Sequence, residues 1–187
     1  MDTRQALITL LAERSARRGH FILSSGRTSS LYIDARLTTM SPDGLALIGA
    51  LGLATVTEMF GDTVDAVGGL TLGADPIAYA IAYASATTVH PIRAFTVRKE
   101  AKVHGTGRQV EGPYHRGDRV VVIEDVITTG GSALQAVSVL RSHEATILGV
   151  IALVDREEGG REALEEAGLS VYALTCASEI LPLARES

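Results

Sequence analysis

Glu124 and Asp125 stand side by side after Val120, Val121, Val122 and Ile123, a β-branched run suited to a central strand. Two carboxylates at a strand end are costly to desolvate unless something pairs with them, and sugar hydroxyls or a cation are natural partners. Val126 and Ile127 lead on to Thr128, Thr129, Gly130, Gly131 and Ser132, which offer hydroxyls and glycine-permitted backbone geometry just before a helical pattern. Successive backbone N–H groups at a helix start form a site for phosphate. Carboxylates facing the hydroxyls of a ribose and a loop holding its 5′-phosphate are satisfied by one ligand, a sugar phosphate. Taken separately, each half has a plainer account, a solvated strand end and a capping turn. The combination is what carries the specificity.

A second candidate segment is basic. Arg98, Lys99, Lys102 and Arg108 crowd together with His104, and Gly105, Gly107 and Gly112 allow motion between them. A long, charged, glycine-containing connection in a compact domain is often a functional lid, although an exposed run of solvated charge accounts for the same residues. No GxxxxGK[ST] run is present, and Gly105 and Gly107 lack the third glycine and the setting of a dinucleotide loop. The only cysteine, Cys176, excludes an intrachain disulfide and a multi-cysteine metal site. It reads as a small residue packed near a strand end, with a nucleophile as the alternative.

The elements that must position these residues alternate along the chain. Residues 3 to 18 predict an amphipathic helix, with Arg14, Arg17 and Arg18 towards the negative end of its dipole. The segment from Phe21 to Asp34 predicts a hairpin turning at Ser25-Gly26-Arg27. Ser41 and Pro42 supply an N-cap and a first-turn proline for a helix whose buried side is expected from Leu45, Ile48, Val56, Met59 and Phe60. Strands are predicted at 65–70, 91–97, 119–124, 146–154 and 169–174, with helices at 76–86, 132–142 and 161–167 between them. Such alternation implies βαβ units and a mainly parallel sheet with helices on both faces. Ligands then sit beyond the carboxyl ends of the strands, where residues 69–75, 98–112 and 124–132 fall.

The 187 residues suit a single domain, and 46 % hydrophobic with 21 % charged residues is ordinary globular composition. Aromatic residues make up 4 % with no Trp, which argues against a base-stacking platform for single-stranded nucleic acid. The net charge of -5 argues against nucleic acid or an anionic membrane as the main partner. No apolar run is read as reaching the roughly 18 to 20 residues of a membrane span. The first twenty residues lack the order of a signal peptide, so a reducing cytoplasmic location is expected.

VVVIEDVITTGGS resembles the 5-phosphoribosyl 1-pyrophosphate (PRPP) motif of type I phosphoribosyltransferases, and RKEAKVHG is similar to the catalytic loop of the orotate phosphoribosyltransferases. FILSSGRTSSLYIDAR and LVDREEGGR resemble two further segments of that family, so the likeness runs from about Gly19 to Ala177. The resemblance implies an α/β fold of type I phosphoribosyltransferase kind: a central, mainly parallel sheet flanked by helices, with a small N-terminal hood. The hood would be formed by about residues 1–40 with C-terminal residues, within a single domain at 1–187. It implies transfer of ribose 5-phosphate from PRPP to orotate, giving orotidine 5′-monophosphate and pyrophosphate, with Mg²⁺ carried on PRPP.

By the same resemblance Arg98, Lys99, Lys102 and His104 would contact the pyrophosphate, with Lys99, Lys102, His104 and Asp125 as the catalytic set. Such a basic clamp neutralises charge as it develops on the leaving group, and closure of the loop keeps water out. Glu124 and Asp125 would hold the ribose hydroxyls and Thr128 to Ser132 the 5′-phosphate, with Val126 and Ile127 also in the PRPP site. Thr128 would also reach orotate, and Arg156 would meet its carboxylate, with a surface pairing to Glu157 or Glu158 as the competing account of Arg156. A homodimer that shares its catalytic loop across the interface is implied. Two departures stand out: Ser24 where many relatives have lysine, and Leu72-Gly73 where many have tyrosine and lysine. Transfer to another base is disfavoured by Arg156 and the RKEAKVHG loop, and a PRPP-sensing regulator without turnover by the intact set Arg98, Lys99, Lys102 and His104.

Overall fold

The computed structural model describes residues 2–22, 28–100 and 109–186. Its elements begin α1 (Thr3–Arg14), β1 (Ala16–Ile22), β2 (Thr28–Ile33), α2 (Arg36–Thr39), α3 (Pro42–Phe60), β3 (Ala66–Leu70), α4 (Asp75–Ser85) and β4 (Arg93–Val97). They continue β5 (Val110–Glu111), β6 (Arg119–Ile127), α5 (Gly131–Ser142), β7 (Thr146–Asp155), α6 (Gly160–Glu166), β8 (Val171–Cys176), α7 (Ala177–Ile180) and β9 (Arg185–Glu186).

Six strands form one sheet in the order β5-β4-β3-β6-β7-β8, parallel except where β5 runs antiparallel to β4. The β-branched runs of β6 and β7 take the middle because both of their faces are covered. Val121 and Ile123 join Leu7 of α1, Ile48 of α3 and Ile77 of α4 in one core. Val120 and Val122 point the other way, to Val137 and Leu140 of α5 and Leu164 of α6. This is the strand period of two, buried on both sides. The chain order reverses between β3 and β6, so the segments leaving these two strands flank one crevice, the usual ligand site of such sheets.

A smaller sheet, β2-β1-β9, stands apart from the first. β1 pairs antiparallel with β2, Ala16 opposite Ile33, and parallel with β9, Arg17 opposite Arg185. Arg4 of α1 donates to both carboxylate oxygens of Glu179 on α7 at 2.7 Å, tying the chain's two ends together beneath it.

Several expectations change. The first helix stops at Arg14, and Arg17 and Arg18 lie in β1. The Ser15 hydroxyl meets that of Thr38 at 2.8 Å, its carbonyl accepts from Asp34 N–H, and the ladder to β2 and β9 then holds the chain extended. β6 does not end at the acidic pair; it runs on to Ile127, because β7 offers Val154 and Asp155 as register partners to Val126 and Ile127. In α3, Ser41 caps as expected by accepting from Gly44 N–H, and Ile48 and Val56 are buried, whereas Leu45, Met59 and Phe60 are only half-buried. Residues 42–63 are long and apolar enough, at mean hydropathy 1.5, to cross a membrane by length and composition, contrary to the sequence reading. Here that stretch is one wall of the first core, against α4 and the sheet. The turn at Ser25-Gly26-Arg27 and Ser24 lie outside the described residues.

Candidate functional site

The acidic pair lies deep in the crevice. Glu124 is 8 % exposed, and its Oε2 has no hydrogen-bond partner among the described residues. Burial, and then the charge of Asp125, push its carboxyl up to about 8. Next to it, Asp125 Oδ1 accepts from the N–H of Val126 at 2.8 Å. A buried carboxyl with an unmet oxygen is a high-energy arrangement in the free protein, and a hydroxyl donor or a cation would relieve it.

Beyond β6 the chain folds into a small cradle lined by Glu124 and Val126 to Ser132. Gly130 is the N-cap of α5 with φ 79°, in the left-handed region, and no side chain caps this helix. A Cβ at Gly130 would also press on the carbonyl oxygen of Gly160 and on Leu164, so glycine is required there twice over. The uncapped first turn leaves its N–H groups to an anion.

The larger part of the site is a cavity of about 400 Å³ whose walls come from four stretches of chain. Asp125, Val126 and Thr128 form its floor, Leu72 and Gly73 one side, Tyr32 to Arg36 the opposite side, and Arg156 the back. Gly73 fits closely, since a Cβ there would land on the Asp125 carboxylate. Thr71, in the same segment, is joined to Leu72 by a cis peptide bond.

Arg156 is 7 % exposed and follows directly on β7. Its Nη2 donates to Ser29 Oγ at 2.8 Å, to the carbonyl of Leu31 at 3.0 Å and to Glu158 Oε1 at 2.7 Å. The pairing with Glu158 thus exists together with a place in the cavity wall, and the side chain is buried rather than on the surface. Its Nε is buried without a partner among the described residues. The turn that aims it is braced: Asp155 Oδ1 accepts from Glu157 N–H and Oδ2 from Arg161 Nε, both at 2.8 Å.

Asp125, Val126, Thr128 and Arg156 are therefore brought together, with Glu124, Ile127, Thr129, Gly130, Gly131 and Ser132 in the adjoining cradle. Arg98 and Lys99 are not among the residues that line the cavity. Arg98 N–H donates to the carbonyl of Gln109, its guanidinium faces Glu111 at 3.9 Å, and the carbonyl of Lys99 accepts from Gln135. Lys102 and His104 lie outside the described residues. Asp75 is the first helical residue of α4, whose N-cap is Ala74, and two threonine hydroxyls donate to its carboxylate. The wall from Tyr32 to Arg36 was not assigned a role from sequence. Its signal was the YIDAR end of the hairpin motif, which local pattern alone does not connect to Arg156.

The phosphoribosyl transferase domain family matches residues 42–167. An orotate phosphoribosyltransferase of Aquifex aeolicus is 49 % identical over 184 residues, covering 97 % of this chain and 99 % of its own. One from Synechocystis is 46 % identical, covering 99 % of this chain and 92 % of its own. The crystal structure of Mycobacterium tuberculosis orotate phosphoribosyltransferase in complex with PRPP superposes with TM-score 0.79 at 37 % identity, covering 96 % of this chain and 99 % of that one. The same enzyme in complex with Fe(III) dicitrate gives TM-score 0.83 at 40 % identity, with 96 % and 99 % covered.

Proposed function

The chain belongs to the orotate phosphoribosyltransferases, within the phosphoribosyltransferase family, and on that premise we propose that it joins N1 of orotate to C1 of PRPP in the synthesis of UMP. The C1–O bond to pyrophosphate breaks, its electron pair leaves with pyrophosphate, and the N1 proton is released as the new C–N bond forms orotidine 5′-monophosphate.

One observation carries this reading: Asp125 and the buried Arg156 guanidinium line one cavity beside the uncapped start of α5. Residues 128–132 hold the 5′-phosphate on that helix start. Glu124 and Asp125 accept from the ribose hydroxyls, and Asp125 steadies positive charge growing on the ring. Arg156, with Thr128 nearby, receives the carboxylate of orotate, where a guanidinium fork suits two oxygens. Arg98, Lys99, Lys102 and His104 act on the leaving pyrophosphate.

Mg²⁺ comes to this site on PRPP. The unmet Oε2 of Glu124 beside Asp125 suits a cation that keeps substrate phosphates and water as its other ligands. Among the described residues no group of three or more His, Cys, Asp and Glu gathers to hold one alone. When bound, the ion offsets charge on the pyrophosphate.

The small sheet and the segment after it serve as a hood, a reading supported by the wall Tyr32 to Arg36 and by the contacts of Ser29 and Leu31 with Arg156. The working form is a homodimer in the cytoplasm, each copy lending its basic loop to the other. Two features support the shared loop. Arg98 and Lys99 do not line their own cavity, and an apolar groove between α3 and α4 adjoins the strand from which the loop departs. Tyr83 and Tyr79 stand 86 % and 52 % exposed there, and the Tyr79 hydroxyl meets that of Thr96 on β4 at 2.8 Å.

The deciding assay mixes purified protein, PRPP, Mg²⁺ and orotate and follows orotate absorbance, with uracil, hypoxanthine and adenine as controls. Loss of orotate alone is expected. Clear PRPP binding without orotate loss would instead identify a regulator.

A further inference from the structure

Between β3 and α4 this chain has Leu72 and Gly73, which line the cavity beside Asp125, and Leu72 is 55 % exposed. The segment therefore brings no side-chain cation or phenol to an anion at those two positions. Whatever it offers must come from its backbone, and a backbone site works only if its shape is set before the ligand arrives.

We infer that Asp75 is the positioning residue that sets this shape, holding residues 71–75 ready for the pyrophosphate of PRPP. The role rests on the transfer reading above. Asp75 is 8 % exposed, so its carboxylate is tolerated only with donors in place. Oδ2 accepts from Thr71 Oγ1 at 2.6 Å, and Oδ1 accepts from Thr96 Oγ1 at 2.8 Å. Hydrogen bonds to a charged acceptor are about twice as strong as neutral ones. The carboxylate also sits in the first turn of α4, where the helix dipole offsets negative charge. It can therefore lie beside an anion site without demanding a neighbouring cation.

The two threonines belong to different segments. Thr71 lies in the connection itself, with its N–H bonded to the carbonyl of Val97 at 2.8 Å. Thr96 lies in β4, opposite Gly69 of β3 and two residues before Arg98. One carboxylate thus ties the connection that lines the cavity to the strand end from which the basic loop leaves. Further along the same connection, Gly73 lies against the carboxylate of Asp125. A shift at residues 71–75 is thereby felt by a group assigned to the ribose.

The test compares parent, Asp75→Ala, Asp75→Asn and Thr71→Val for calorimetric binding of inorganic pyrophosphate and of orotidine 5′-monophosphate, with steady-state kinetics and a melting curve for each. Asp75→Ala and Thr71→Val are expected to weaken pyrophosphate, and to raise the KM for PRPP, by about tenfold. Orotidine 5′-monophosphate, which has no pyrophosphate, should stay within about twofold. Asp75→Asn keeps one carbonyl acceptor and should recover part of the loss. A merely structural Asp75 would lower the melting temperature and weaken both ligands alike, and that result overturns the inference. So does unchanged pyrophosphate binding in Thr71→Val, which decides the matter if Asp75→Ala does not fold. Parent protein that binds pyrophosphate but consumes no orotate would sink the transfer reading, while the pyrophosphate comparison would still judge Asp75.

Discussion

Glu124 is the residue whose environment most plainly anticipates a ligand. With its carboxyl raised from 4.5 to about 8, the group is mainly protonated at neutral pH in the free protein. Hydroxyl donors or a cation favour the ionised form, so binding should expel a proton. Calorimetry of PRPP with Mg²⁺ at pH 7, in two buffers of different ionisation heat, is expected to show release of most of one proton. The release should fade above pH 8 and be absent in Glu124→Gln. Heats that are the same in both buffers would contradict it. The sign for stability follows from the same shift. The folded state favours the protonated form, so this contribution is full below about 4.5 and is lost as pH rises towards about 8.

Among the elements, the turn after β7 is the one that sets the place of Arg156, the group proposed to meet orotate. Arg161 Nε holds Asp155, which is 3 % exposed, while Arg161 Nη1 donates to the carbonyl of Val171 at 2.8 Å. Arg161→Ala leaves that buried carboxylate short of a donor, at a cost of about 1–3 kcal/mol, less than a fully buried pair because Arg161 is partly exposed. Urea unfolding measures the loss, and kinetics should show the KM for orotate rising more than that for PRPP. Equal changes in both would mean that the turn does not aim Arg156. β6 and β7 were legible because long β-branched runs leave few alternatives. The end of β6 was not, since a carboxylate pair looks like a terminus unless the neighbouring strand is known. β5, β9, α2 and α7 span only two to four residues, too few for any periodicity. Asp125, Thr128 and Arg156 could be read from local motifs. The Thr71–Asp75–Thr96 cluster could not, because only the pairing of β3 with β4 brings position 96 to the other two.

For the molecule as a whole, the shared-loop reading makes activity depend on association. Tyr83→Glu puts a charge into the groove between α3 and α4 without touching the cavity. It should yield folded monomers by light scattering, with turnover lost in parallel. A dimer of parental activity would show that the groove is not the seat of the second copy. The pairing of β1 with β9 bears on how the chain reaches this form. Those strands lie some 170 residues apart, as in Arg17 opposite Arg185, and contacts between distant segments form slowly. Until β9 arrives, β1 is an open sheet edge of the kind that invites pairing with foreign strands. The ribosome therefore exposes this border early and covers it late, so yield on expression should be limited by that interval and eased by slow growth or chaperone supply.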